Sequence, residues 1–291
     1  MRSVKSLLAA GAATLISSMA FAADMPIAAP PPMYAPPAPP ADFGGWYLRG
    51  DIGMTNQSMK SLHSVSIDRV NTSFPGSLQD NGFGFDSSPL YKLGVGYQFN
   101  NWFRADLTGE YRGKANLHGS QNIPANSAYA VANNQFLVDN YSGSKSEWVV
   151  MANAYVDLGT WWCVTPYIGA GIGGAYNRLS GFRDDGVIST GGVQSSSVTY
   201  AGDSGKWNLA WAVHAGLAYK VTPNVTLDLA YRYINLGDAV TGPTHSFDGV
   251  TVVNGSPFTV KDITSHDLML GVRWNLDQPT PVYHTPLVTK G

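Results

Sequence analysis

The chain has 291 residues and a formal net charge of −2, a balance that argues against nucleic acid as a partner. Its 32 Gly, 15 Tyr and 8 Trp are accompanied by 1 Cys, so no internal disulfide can form and stability must come from elsewhere. A mean hydropathy of −0.08, with no long apolar stretch after the amino terminus, excludes a helical membrane protein but not a β-barrel, whose strands need apolar residues only at every second position.

The amino terminus carries Arg2 and Lys5, an apolar run from Leu7 to Met19, and then Ala20-Phe21-Ala22 before Ala23-Asp24. This order predicts a secretory signal peptide over 1–22, cleaved between Ala22 and Ala23, because the run falls short of the roughly 20 apolar residues that span a bilayer and ends in a small-x-small site. Residues 23–43 follow as a linker of Pro, Ala and Met, including Pro30-Pro31-Pro32 and Pro39-Pro40. Such a stretch favours polyproline II, a semi-rigid periplasmic spacer with a reach on the order of 60 Å.

From Gly44 the organising signal is a period of two. In Trp102 to Arg112 one face reads Arg104, Asp106, Thr108, Glu110, Arg112 and the other Phe103, Ala105, Leu107, Gly109, Tyr111. That is a strand with one wet and one greasy face. The pattern recurs in Pro89 to Phe99, Glu147 to Leu158, Trp207 to Val221, Val225 to Tyr233 and His266 to Leu276, with Gly-rich members at Gly45 to Met54 and Thr165 to Tyr176. The expectation is an all-β fold, an eight-stranded antiparallel up-and-down transmembrane barrel over 44–276, with a tail over 277–291.

Three connections are tight turns, at Asn100-Asn101, around Gly159 to Val164, and at Thr222-Pro223-Asn224. The other four run to roughly 25 to 35 residues each, far beyond ordinary hairpins. Short turns on one side and long loops on the other place the turns in the periplasm and the loops outside the cell. On that orientation Trp46, Tyr97, Phe99, Phe103, Tyr219 and Trp274 gather near the periplasmic ends, and Tyr111, Trp148, Tyr176, Trp207 and Tyr233 near the outer ends. Two aromatic girdles on the apolar face suit the two membrane interfaces. A soluble lipocalin-like barrel is the competing fold, and it would turn these rings into its own cavity.

With the apolar face on lipid, the other face points inward. Its basic residues are Arg49, Lys92, Arg104, Arg112, Lys220, Arg232 and Arg273; its acidic ones are Asp51, Asp106, Glu110, Glu147, Asp157, Asp228 and Asp267. Eight strands enclose a lumen only wide enough for side chains to fill, so these charges are expected to pair across it as a structural plug. A narrow ion path lined by the same charges is the functional alternative. His214 also faces the lumen, but no nucleophile motif accompanies it, and it reads as a network member rather than a catalytic base. The other His residues show no metal-ligand spacing, and Cys163, in a Trp161-Trp162-Cys163 turn, reads as a small apolar residue. No enzymatic activity, metal or cofactor is expected.

The segments Gly45-Trp46-Tyr47-Leu48-Arg49-Gly50-Asp51-Ile52-Gly53, Tyr231-Arg232-Tyr233-Ile234-Asn235-Leu236-Gly237 and Gly271-Val272-Arg273-Trp274 resemble the small porin-like surface-antigen barrels of alphaproteobacteria, within the OmpA/opacity-protein superfamily. The resemblance covers Gly44 to Leu276. It implies insertion by the barrel-assembly machinery, contact with outer-membrane lipid and lipopolysaccharide, and roles in envelope integrity and host contact through the loops. The chain departs from the family pattern where Leu276 is followed by a Pro-containing tail, since family chains end on an aromatic that acts as the assembly signal; Trp274 stands in its place. Some similar barrels are linked to peptidoglycan through a processed Ala-Asp terminus, and Ala23-Asp24 before a stiff spacer would suit such a tether.

Two functions therefore compete. One is a structural barrel whose loops, such as Gly113 to Ser144 and Gly181 to Gly205, meet surface or host ligands. The other is a small porin, for which the chain is short, since general porins use sixteen or more strands.

Overall fold

A computed structural model describes residues 45–247 and 249–276. The predicted signal peptide, the Pro-rich linker with Ala23-Asp24, and the tail lie outside the described residues. In chain order the elements are β1 (Gly45–Ser58), β2 (Ser61–His63), α1 (Val65–Ser73), β3 (Gln79–Phe85), β4 (Ser88–Gln98), β5 (Phe103–Ile123), α2 (Ala128–Asn133), β6 (Gln135–Asp157) and β7 (Val164–Thr190). They continue with β8 (Val193–Ala201), β9 (Ser204–Lys220), β10 (Val225–Val240), β11 (Thr244–Phe247), β12 (Val252–Gly255) and β13 (Thr259–Asn275).

Eight of these strands form a closed antiparallel ring, β1–β4–β5–β6–β7–β9–β10–β13, with β13 returning to β1. They correspond one for one to the eight alternating segments of the sequence. Closure leaves the ring no unpaired edge, which is what lets a sheet cross a bilayer. The outward faces carry Leu93, Leu107, Val150, Ile172, Leu209, Leu229 and Leu270, all exposed, so the greasy surface is on the outside and the lipocalin-like alternative is overturned.

The strands do not stop where the bilayer does. β6 has 23 residues and β7 has 27, whereas roughly 9–11 residues cross the hydrocarbon core. The excess rises beyond the outer rim as a continuation of the same sheet, in which β8 pairs with β7, β11 with β8, β12 with β11, and β3 with β5. The regions Gly113 to Ser144 and Gly181 to Gly205 are therefore largely strand rather than loop.

At the junction the inside-outside phase changes. In β5 the inward residues are even-numbered up to Arg112, then odd-numbered from Ala115 through Leu117 to Ile123, across a bulge between Arg112 and Ala115. In β7 the switch follows Gly181, at φ +60°, so that Leu179 and Phe182 both face inward. In β10 it falls at Gly237, at φ +72°, between Leu236 and Ala239. One extra residue flips every side chain beyond it, and glycine takes the left-handed conformation without steric penalty.

The result is an apolar core above an ionic one. Leu62, Ile67, Phe85, Leu117, Tyr141 and Ile263 pack in one buried cluster toward the outer end. At its centre Phe182 and Phe258 lie 4.9 Å apart, with Tyr141 5.7 Å from Phe258. β2 and α1, from the first outer connection, contribute Leu62 and Ile67 and so fold inward over the mouth. α1 is started by Ser64, whose hydroxyl accepts from the Ile67 N–H.

Candidate functional site: the charged lumen

Below the apolar stopper the lumen is filled by ion pairs in layers. The upper layer is built on Arg112, whose Nη1 donates to Asp267 Oδ2 at 2.8 Å and to Glu110 Oε1 at 3.0 Å. Its Nη2 donates to Asp267 Oδ1 at 2.9 Å and to Ser265 Oγ at 2.7 Å. Arg232 Nη2 reaches the same two carboxylates, Glu110 at 2.6 Å and Asp267 at 2.7 Å. Glu147 lies 3.2 Å from Arg112 Nε and is also paired with Lys145, whose ammonium stands 4.9 Å from the centre of the Phe85 ring.

The middle layer is centred on Arg49. Its guanidinium grips Asp51 bidentately, Nε at 3.0 Å and Nη2 at 2.8 Å, and Nη1 donates to Asp106 Oδ2 at 2.8 Å. Lys92 lies 3.4 Å from Asp51. Asn153 donates to the other Asp106 oxygen at 2.8 Å, and His214 Nε2 contacts the Asn153 carbonyl oxygen at 3.2 Å. The hydrogen-bond partner of His214 is thus an amide, with the Tyr155 ring 5.4 Å away, and this places it in the network.

The periplasmic floor holds two more pairs, Arg104–Asp157 at 3.2 Å and Arg273–Asp228 at 2.9 Å. The Arg104 guanidinium lies between two rings, 4.3 Å from the centre of Tyr155 and 4.5 Å from that of Tyr167. The wall makes room for these rings with glycine: a Cβ on Gly169 would sit 2.5 Å from Tyr155 Cδ1, which is why β7 reads as a weak, Gly-rich strand.

Thirteen of the fourteen charged residues expected to face the lumen are in these layers. Lys220 is not. It has the right parity, but it is the last residue of β9, exposed at the turn below the packed interior. Lys145 takes its place in the charge balance. An alternating segment that begins at Glu147 omits it, although β6 extends further back and Lys145 is the next inward position. Tyr47, Tyr155 and Tyr167 also face the lumen, and charge alternation alone does not reveal them, because they are amphipathic rings that bury their body and bond through their hydroxyl. Tyr47 Oη donates to Asp106 Oδ2 at 3.2 Å.

The aromatics assigned to girdles stand on the outward face, most of them in contact with another ring. Near the periplasmic end Trp46 lies 5.3 Å from Tyr97, Tyr97 5.1 Å from Phe99, and Phe99 5.3 Å from Phe103. Nearer the outer end Tyr111 lies 4.9 Å from Trp148 and Tyr176 5.3 Å from Trp207. Tyr233 contacts Trp211 at 5.6 Å, while Tyr219 and Trp274 are exposed.

A closed antiparallel ring with apolar residues and aromatic belts outside and charge pairs within is the construction of a bacterial outer-membrane β-barrel. This chain belongs to the family described as the outer membrane protein beta-barrel domain, which matches residues 8–275, and it resides in the cell outer membrane. It is 35% identical to an uncharacterized protein of Brucella suis over 229 residues, 75% of this chain and 76% of that one. It is 29% identical to the outer membrane protein PagN of Salmonella typhimurium, covering 79% of this chain and 89% of that one. A protein of Rickettsia prowazekii whose name describes it as an adhesin is 26% identical, covering 79% of this chain and 87% of that one.

Proposed function

We propose that this barrel is a closed structural anchor that raises a β-sheet stalk above the outer membrane for surface contact. The observation that carries the reading is the stalk itself. On its outward face Phe136, Val138, Val187, Tyr200 and Phe247 are exposed, with Val138 paired directly to Val187 across β6 and β7. Apolar side chains at that height stand in water or among lipopolysaccharide sugars, and contiguous exposed apolar surface marks interaction sites. The adhesin-named relative supports the same direction.

A channel is disfavoured by two barriers in series, the apolar stopper and the paired charges beneath it. Insertion by the barrel-assembly machinery, contact with lipopolysaccharide, and a peptidoglycan tether through Ala23-Asp24 belong to the same reading. The test compares bacteria displaying the full barrel with bacteria displaying one whose stalk is trimmed to the rim at β5–β6 and β7–β9. Loss of adherence to host cells, with an unchanged heat-modifiable band, supports the proposal; equal adherence of the trimmed barrel overturns it. Muropeptides bearing the processed amino terminus would establish the tether, and free amino termini throughout would refute it.

A further inference from the structure

Lys220 is charged, exposed and without an ion-pair partner among the described residues, at the membrane edge of a protein that otherwise pairs its buried charges. It borders a cleft of about 560 Å³ between the two periplasmic turns, lined by Thr160, Trp162, Thr165, Val221, Thr222 and Pro223 as well. The turns are held together across this cleft, because the Lys220 backbone N–H donates to the Cys163 carbonyl at 2.9 Å.

The cleft offers hydroxyl donors beside the ammonium. Thr222 Oγ1 accepts from the backbone N–H groups of Asn224 at 3.3 Å and Val225 at 3.0 Å, so its lone pairs are engaged and its proton is available to an acceptor outside. Thr160 and Thr165 share one hydroxyl–hydroxyl bond at 2.7 Å, which uses one of their two protons and leaves the other. Trp162 is 96% exposed at the rim, the place where an indole sits at headgroup depth.

Directly above, on the outward wall, lies a second concavity of about 570 Å³. Its lining includes Val164, Leu217, Tyr219, Leu227, Leu229 and Leu270, with Gly50 supplying no side chain to fill it. The two are neighbours at the rim: Val164 and Tyr219, paired across β7 and β9, line the groove, and the residue after each along its strand, Thr165 and Lys220, lines the cleft. A cation-bearing polar cleft at headgroup depth, beside an apolar groove at acyl-chain depth, has the profile of one lipid molecule.

We propose that this cleft and groove bind one anionic glycerophospholipid of the periplasmic leaflet, with its phosphate on Lys220 and the threonine hydroxyls and one acyl chain in the groove. An anionic headgroup suits the site better than a zwitterionic one, whose own ammonium would be repelled by Lys220. A Lys near a membrane surface contributes ~1 kcal/mol toward anionic lipid, about fivefold in retention.

The full mature chain is refolded into detergent with equal amounts of phosphatidylglycerol and phosphatidylcholine bearing the same chains, and retained lipid is read by native mass spectrometry. Folding of every variant is first checked by its unboiled gel mobility. Wild type is expected to keep one phosphatidylglycerol in about fivefold preference. Lys220→Gln should abolish the preference and Lys220→Arg restore it, while Gly50→Leu, placed in the groove with Leu93 as its 3.4 Å neighbour, should lower retention of both lipids. Excess inorganic phosphate should leave retention unchanged. Equal retention of the two lipids by wild type, an undiminished preference in Lys220→Gln, or displacement by inorganic phosphate would each overturn the proposal.

Discussion

Arg112 on β5 and Asp267 on β13 meet through two parallel hydrogen bonds of 2.8 and 2.9 Å although their strands are not neighbours in the ring. The contact crosses the lumen, so it joins walls that backbone pairing alone would connect only around the circumference. Both side chains are fully buried. Removing either partner unbalances a buried network, although Asp267 keeps Arg232 and Arg112 keeps Glu110 and Glu147, so the loss approaches that of a broken buried pair, about 3–5 kcal/mol. Arg112→Ala and Asp267→Asn should each lower the urea midpoint, followed by gel mobility, by far more than Arg183→Ala in the exposed pair with Asp185. Equal effects at the buried and the exposed pair would refute the assignment.

Arg104 tests the ring sandwich. Lysine keeps the charge opposite Asp157 but not the flat surface that stacks between Tyr155 and Tyr167. Arg104→Lys should therefore destabilise the barrel by ~1–2 kcal/mol, and Arg104→Ala by more, since Asp157 then loses its partner. Neither should raise conductance while the stopper is intact, and an increase in Arg104→Ala would favour the channel.

The stopper itself can be opened. Leu62 and Phe258 are inward parts of the apolar cluster, contributed by β2 and by the segment before β13. Planar bilayers holding the wild-type barrel should show no stepwise current, and the double variant Leu62→Ser, Phe258→Ser should show small, frequent steps. A wild-type barrel that already conducts would contradict the closed reading.

The stalk should respond to pH. Burial pushes the Asp139 carboxyl up to about 6; burial, then the charges of Asp139 and Asp185, push that of Asp184 up to about 8. Both carboxyls ionise more readily in the unfolded stalk, so the protonated forms favour the folded one. Their contribution is full below the ordinary carboxylate range and is lost as pH rises through about 6 and then about 8. Hydrogen exchange of β6 and β7 above the rim should be faster at about pH 9 than at about pH 5 after correction for intrinsic rates, and Asp184→Asn should flatten the difference. A stalk that becomes more protected at high pH would reverse the sign and refute the argument.

Period two was legible in the sequence wherever the strand met lipid on one side, because hydrocarbon admits no exception to the pattern over the few residues that cross it. That is why β1, β4, β5, β6, β7, β9, β10 and β13 and nearly all the lumenal charges could be read from alternation. Beyond the rim the alternation persists, but bulges at Arg112–Ala115 and at Gly181 and Gly237 invert its phase, so a continuous strand reads as a strand followed by a polar loop. Only the closed ring decides which phase faces the axis, and with it that Leu117, Phe182 and Phe258 converge into a stopper. The ring likewise decides where the lumen ends: parity places Lys220 inside, while the depth of the packed layers leaves it at the periplasmic rim and brings Lys145 in above. Alternation is a property of one strand; depth along the axis is a property of eight strands in register.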